Sequence, residues 1–217
     1  MKLNPKYLDP KKTAVIVVDL QNDFCHEISV LHRKRSRNKA CALRVYKFIE
    51  EAGKAGVEVL FAQQIHDPRK LTWRQKKYYE RVASGEREFG AYKGKLKIPC
   101  AMGTFGAEYF DYKPPKNKLF VKSGFDIWQN EQFKEFLDKH KIETLIITGV
   151  ELTCCILYAV LGAEERGFNI VVPKDLVSGV DEGKRSQDNL LKIIGEMYAP
   201  VVNSEQILKI WTQKSGV

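Results

Sequence analysis

The chain has no apolar run long enough to cross a membrane as a helix. Its longest, Cys154–Ala163, is about half of the ~18 residues a span needs. It has no CxxC pair and no His/Cys pattern with metal-ligand spacing; its cysteines are Cys25, Cys41, Cys100, Cys154 and Cys155. An odd count, with no charged-then-apolar leader ahead of it, is expected of reduced thiols in a cytoplasmic protein. Repeats and low-complexity tracts are missing, and 15 Gly and 8 Pro in 217 residues are ordinary usage, which excludes collagen-like and disordered chains. What remains, 44% hydrophobic and 29% charged residues, is the composition of a folded chain long enough for one well-buried core.

Negative charge is the scarcer sign: 27 Asp and Glu against 36 Lys and Arg, a formal net charge of +9. Such an excess favours anionic partners, or a carboxylate-bearing substrate, through long-range attraction. The basic residues are scattered except for one dense run, His32-Arg33-Lys34-Arg35-Ser36-Arg37-Asn38-Lys39. It reads as a solvated loop and helix start, the competing reading being an anion- or nucleic-acid-binding patch. Neither zinc-finger spacing nor an RNP-type aromatic motif accompanies it. Nucleic acid is not an expected partner, nor is a membrane.

Strand and helix signals alternate along the chain. Thr13–Asp19 is a β-branched run ending in an acid, the pattern of a strand buried on both faces. Asn38–Ala55 carries Ala42, Val45, Phe48, Ile49 and Ala52 at helical spacing and stops at Gly56. Further strands are expected at Val57–Gln63, Lys118–Val121, Thr144–Gly149, Phe168–Pro173 and Val201–Val202. Helices are expected from about Asn130 to His140 and Thr153 to Arg166, then over Glu182–Met197 and Ser204–Lys214. This alternation demands crossover connections, hence an α/β, three-layer Rossmann-like fold: an about six-stranded, mainly parallel sheet with helices on both faces. Residues 1–217 are expected to form a single domain. Residues 67–117 break the rhythm; they hold a charged, aromatic stretch, Leu71–Glu88, with helical character, and read as an elaboration covering the site.

In such sheets the site lies at the carboxyl ends of the strands. Asp19 ends the first, the second runs into His66, the third into Lys122, and the fourth into Gly149 and the double cysteine. Each has an ordinary explanation: a strand-ending Asp is often a turn former, a lysine a surface residue, a cysteine in an apolar helix start a small core residue. These explanations stop being independent once the three groups share one edge of one sheet. Together they supply a nucleophile, its base, and a cation that holds the thiolate.

The segment Ala14-Val15-Ile16-Val17-Val18-Asp19-Leu20-Gln21-Asn22-Asp23-Phe24 resembles the opening strand of the isochorismatase-like cysteine hydrolases. That superfamily includes nicotinamidases, N-carbamoylsarcosine amidohydrolases and biuret- or ureido-cleaving amidases. Val121-Lys122-Ser123-Gly124-Phe125 is similar to its lysine motif, and Ile147-Thr148-Gly149-Val150-Glu151-Leu152-Thr153-Cys154-Cys155-Ile156 to its nucleophile segment. Gly103-Thr104-Phe105-Gly106-Ala107 is similar to a stretch that precedes the lysine strand, and Glu165–Val172 followed by Asp175 to the next helix-to-strand turn.

The resemblance implies Asp19, Lys122 and Cys155 as catalytic residues, with Cys155 preferred to Cys154. It implies a cis peptide between Val150 and Glu151 and an oxyanion hole from the Glu151 and Cys155 amides. It implies hydrolysis of a small amide, carbamoyl or ureido compound, and self-association as a dimer or tetramer. Departures narrow this. Where the nicotinamidases carry an Asp-x-His metal motif, this chain has Gln64-Ile65-His66, so no metal or other cofactor is expected and His66 reads as a hydrogen-bonded interior residue. Leu152 stands where the family commonly has Thr, leaving Thr153 to compensate as a helix cap. Phe24, Gln64, Phe125 and Trp128 are expected as substrate-binding wall residues. The alternatives are a catalytically silent scaffold on the same fold and an anion-binding protein.

Overall fold

The computed structural model describes residues 1–30, 35–84, 98–181 and 184–215. Its centre is a sheet of six strands in the order β3-β2-β1-β4-β5-β6, every neighbouring pair parallel. The strands are β1 (Thr13–Val18), β2 (Glu58–Gln64), β3 (Leu119–Lys122), β4 (Thr144–Gly149), β5 (Asn169–Pro173) and β6 (Val201–Val202). Between and after them run α1 (Asn22–Cys25), α2 (Ser36–Lys54), α3 (Trp73–Ala83), α4 (Glu131–Lys139), α5 (Leu157–Glu164), α6 (Lys184–Met197) and α7 (Ser204–Ser215).

All six residues of β1 are buried, and their alternation divides them between two cores. Val15 and Val17 pack with Val45, Phe48 and Ile49 of α2 and Trp211 of α7 on one face. Ala14, Ile16 and Val18 pack with Leu137 of α4, Val160 of α5 and Ile194 of α6 on the other. A strand buried on both faces has no polar side, which is why this run is continuously apolar. Each fully buried Val or Ile contributes roughly 1.5–3 kcal/mol, enough to set the register of β1 firmly against both neighbours.

Helix ends follow local chemistry. The Asn130 side chain accepts the Phe133 N–H at 2.9 Å and starts α4 one residue later than the periodicity suggests. Gly56, at φ 79°, turns the chain out of α2 as a left-handed C-terminal residue does. The stretch expected as helix over Leu71–Glu88 is α3, Trp73–Ala83; residues 85–88 lie outside the described part. The helix expected from Thr153 opens with a π-helical turn, Leu152–Ile156, before α5 begins. None of the described helices is long and apolar enough to cross a membrane.

Chain order reverses between β1 and β4, both central strands. The crossovers leave in opposite directions there and open a crevice beyond the carboxyl ends.

Candidate active site

Asp19 follows β1 with φ 51°, a left-handed turn at the carboxyl end of the strand. Gly149, the last residue of β4, sits at φ 110°, and a Cβ there would lie 2.1 Å from the Val18 carbonyl oxygen. Only glycine lets these two strand ends approach so closely. Lys122 ends β3, and Cys155 lies in the π-helical turn after β4.

The structure brings the three together in the interior, with Asp19 0%, Cys155 3% and Lys122 4% exposed. Lys122 Nζ donates to Asp19 Oδ2 at 2.7 Å and to the Gly124 carbonyl at 2.8 Å, and stands 3.4 Å from Cys155 Sγ. Asp19 Oδ1 is buried without a hydrogen-bond partner. Burial pushes the Asp19 carboxyl above its usual range against the pull of the Lys122 ammonium. Burial, and then the charge of Asp19, pushes the Cys155 thiol well up. Burial works against the Lys122 charge too, but Asp19 and Cys155 outweigh it and raise Lys122. Burial and the Asp19 charge thus favour the protonated form of the Cys155 thiol, beside an amine and a carboxyl 2.7 Å apart.

The polar residues after Asp19 tie down the loops around this centre. The Gln21 amide donates to the carbonyls of Gln64 and Ala107, both at 2.8 Å, and accepts the Gln64 N–H at 2.8 Å. Asp23 accepts the Cys100 N–H at 2.7 Å. A Cβ on Gly106 would run into the Asp23 carboxylate, so the glycine of that segment makes room for an anion.

The Val150–Glu151 peptide is cis. The Glu151 carbonyl accepts the N–H groups of Cys154 (3.0 Å) and Ile156 (3.2 Å), and Leu152 N–H donates to Ser178 at 2.8 Å. No side chain caps this turn. The capping expected of Thr153 does not occur: its hydroxyl lies 3.9 Å from Cys154 Sγ instead. Main-chain bonds do the work that a capping side chain would.

A cavity of about 280 Å³ opens over the centre, lined by Phe24, Gln64, Phe125 and both Cys154 and Cys155 among others. The two cysteines therefore share one site, although only Cys155 reaches Lys122. Trp128 is a correction. It is 4% exposed, its indole N–H donates to the Ala159 carbonyl at 3.1 Å, and its ring packs on Phe133 and Phe168. The space it fills exists because residue 162 is glycine, where a Cβ would lie 2.1 Å from the indole. It belongs to the core beneath the sheet.

His66 is held inside the fold. Its Nε2 meets the Gln64 side-chain nitrogen at 2.8 Å and the Tyr79 hydroxyl at 3.0 Å. Burial, reinforced by the Lys122 charge, lowers its pKa from 6.5 to about 4. Among the described residues no three His, Cys, Asp or Glu side chains converge as metal ligands would. This donor set, an amide and a phenol around one imidazole, does not fit a divalent cation.

Sequence reasoning missed several contributions. Arg35, 6% exposed, lines the cavity and donates from Nη1 to Glu151 Oε1 at 2.8 Å. Asn38 donates to the same oxygen at 2.7 Å, and Glu151 Oε2 accepts the Val180 N–H at 3.0 Å. From α3, Gln75, Tyr78 and Tyr79 reach the cavity. Over its described residues 35–39 the basic run is the expected helix start, with Ser36 and Lys39 exposed, but Arg35 and Asn38 are buried, and Ser36 and the Arg37 N–H bind Asp181. His32, Arg33 and Lys34 lie outside the described residues. One signal existed: Asn38 precedes Cys41, Ala42 and Val45 at helical spacing, in phase with the buried stripe of α2.

A family model described as the isochorismatase domain matches residues 13–206. An Arabidopsis thaliana protein named "probable inactive nicotinamidase" is 27% identical over 169 residues, which cover 76% of this chain and 80% of that protein. Among solved structures, a cysteine hydrolase from Pseudomonas syringae superposes with a TM-score of 0.78 at 18% identity, covering 94% of both chains. An N-carbamoylsarcosine amidase from Thermoplasma acidophilum superposes at 0.65 with 19% identity, covering 89% of this chain and 96% of that one. At these identities the structural matches speak for the fold.

Proposed function

The chain belongs to the isochorismatase family, and from its site we propose a metal-independent cysteine hydrolase that cleaves the C–N bond of a small amide, carbamoyl or ureido compound. One observation carries this reading. The Lys122 ammonium bridges a buried carboxylate and a buried sulfur, 2.7 Å from Asp19 and 3.4 Å from Cys155, and that sulfur lies on the wall of a substrate-sized cavity. Metal independence rests on the donors around His66.

In the first step Asp19 takes the thiol proton, and the Lys122 ammonium balances the thiolate that forms. Burial that raises the carboxyl above its usual range makes it a better base, and the same burial makes it a better proton holder before it acts as acid. Cys155 Sγ attacks the substrate carbonyl carbon, and the C=O electron pair moves onto oxygen. The Glu151 N–H, which has no acceptor among the described residues, and the Cys155 N–H hold that oxyanion. Donors aimed at developing charge in this way contribute about 10²–10³-fold in other acyl-transfer sites. The tetrahedral species then expels nitrogen, which leaves as ammonia or amine with the proton from Asp19. Asp19 next deprotonates water, whose oxygen attacks the thioester carbon. The C–S bond breaks, the acid is released, and the proton returns to sulfur.

Ammonia release across a panel of amides, carbamoyl compounds and ureides tests this. Turnover by the wild type and by Cys154→Ala, abolished in Cys155→Ala, is the expected result; near wild-type turnover by Cys155→Ala overturns it. The name of the Arabidopsis relative favours a second reading, a silent scaffold. Iodoacetamide separates the two: selective alkylation at Cys155, slowed by a bound amide, is expected of the hydrolase, and indifference of Cys155 to the reagent favours the scaffold.

A further inference from the structure

Charge bookkeeping inside the cavity narrows the substrate class, and this step rests on the amide-hydrolase reading above. Among the described residues one cation lines the cavity, Arg35, and a second, Lys122, lies behind the lining, 3.4 Å from Cys155 Sγ. Each already has its own anion: Arg35 binds Glu151 at 2.8 Å and Lys122 binds Asp19 at 2.7 Å. The Glu151 oxygens are taken up in turn by Arg35, Asn38 and the Val180 N–H. His66 adds no charge above about pH 4. The rest of the wall is dominated by rings, Phe24, Tyr78, Tyr79 and Phe125.

We infer that the cavity selects uncharged amides and ureides over their carboxylate-bearing counterparts, because both cations are already neutralised by anions of the protein. A substrate carboxylate entering this space leaves water and finds no unmatched cation in return. It also places a negative charge near the carbon on which the oxyanion must form, so the penalty grows toward the transition state. The reaction itself needs no extra charge, since one negative charge moves between Asp19, the Cys155 sulfur and the substrate oxygen while the Lys122 ammonium stays.

Isosteric pairs differing only in charge test it: N-carbamoylglycine against N-carbamoylglycinamide, and isophthalamate against isophthalamide. Binding is measured by calorimetry to full-length Cys155→Ala protein at pH 7, where no thioester forms. The neutral member of each pair is expected to bind more tightly by on the order of tenfold to hundredfold, the scale of an uncompensated charge in a desolvated site. Equal or tighter binding of a carboxylate member in either pair, or no binding of either neutral member, overturns the inference. Adding Glu151→Gln to Cys155→Ala leaves Arg35 without its anion, and the preference should shrink or reverse. An unchanged preference in a variant with wild-type circular dichroism also counts against charge matching. The matched pairs decide the question if that variant does not fold. Wild-type enzyme that hydrolyses the carboxylate members better would refute the selection and leave the cysteine mechanism standing; loss of all turnover with the neutral preference intact would do the opposite.

Discussion

Lys122 and Asp19 stand 103 residues apart in the chain and 2.7 Å apart in space, almost wholly buried. Removing one member of such a pair strands the other charge, at a cost of about 3–5 kcal/mol; replacing both is far milder. Urea denaturation should therefore find Asp19→Asn and Lys122→Met each strongly destabilised, and the double variant less so than their sum. All three should lose hydrolysis. Additive losses of stability would mean the two groups do not act as a pair.

His66 contributes a pH-dependent part of the stability. Its folded pKa is about 4 against 6.5 for a free imidazole, so below pH 6.5 the unfolded chain takes up a proton that the folded chain refuses. The contribution is complete above pH 6.5 and is lost as pH falls toward 4, amounting to about 3 kcal/mol over that window. Wild type should lose more stability than His66→Gln between pH 7 and pH 4.5. Parallel curves for the two proteins would show that His66 titrates normally.

Trp128 and Phe125 lie three residues apart in sequence yet should behave oppositely. Trp128→Phe removes core volume and its bond to Ala159, and should lower stability by about 1–3 kcal/mol with KM little changed. Phe125→Ala, at the half-exposed cavity wall, should raise KM with little effect on the denaturation midpoint. A KM effect as large for Trp128→Phe as for Phe125→Ala would return the indole to the site.

Gly149→Ala puts a methyl carbon 2.1 Å from the Val18 carbonyl oxygen at a φ of 110°. Relief requires β1 and β4 to part where Asp19 and the nucleophile turn diverge. The variant should be recovered mainly as insoluble or markedly less stable protein, with a thermal midpoint several degrees below wild type. A fully active Gly149→Ala with an unchanged midpoint would contradict the close approach.

Much of the fold was legible because its signals are local. Burial on both faces writes itself into β1 as unbroken Ala-Val-Ile-Val-Val, and Gly56 and Gly167 mark helix ends where the chain must turn left-handed. The carboxyl-end rule for parallel sheets then pointed to Asp19, His66, Lys122 and the double cysteine, of which the family resemblance preferred Cys155. Trp128 misled because a ring in the core and a ring in a cavity have the same composition and the same periodicity. The difference lies in Gly162, 34 residues away, whose missing side chain opens the space the indole fills.

Arg35 shows the limit from the other side. Within its own segment it is one basic residue in a basic run, and nothing nearby in the chain says that it turns inward. Its orientation is decided by the Glu151 carboxylate, 116 residues away. Local order thus determined the strands and the helices, since each depends on neighbours a few residues off. Which side chains line the cavity, which are paired and what net charge remains there were decided only by tertiary contact, because the energy of a buried charge depends on what stands opposite it in space.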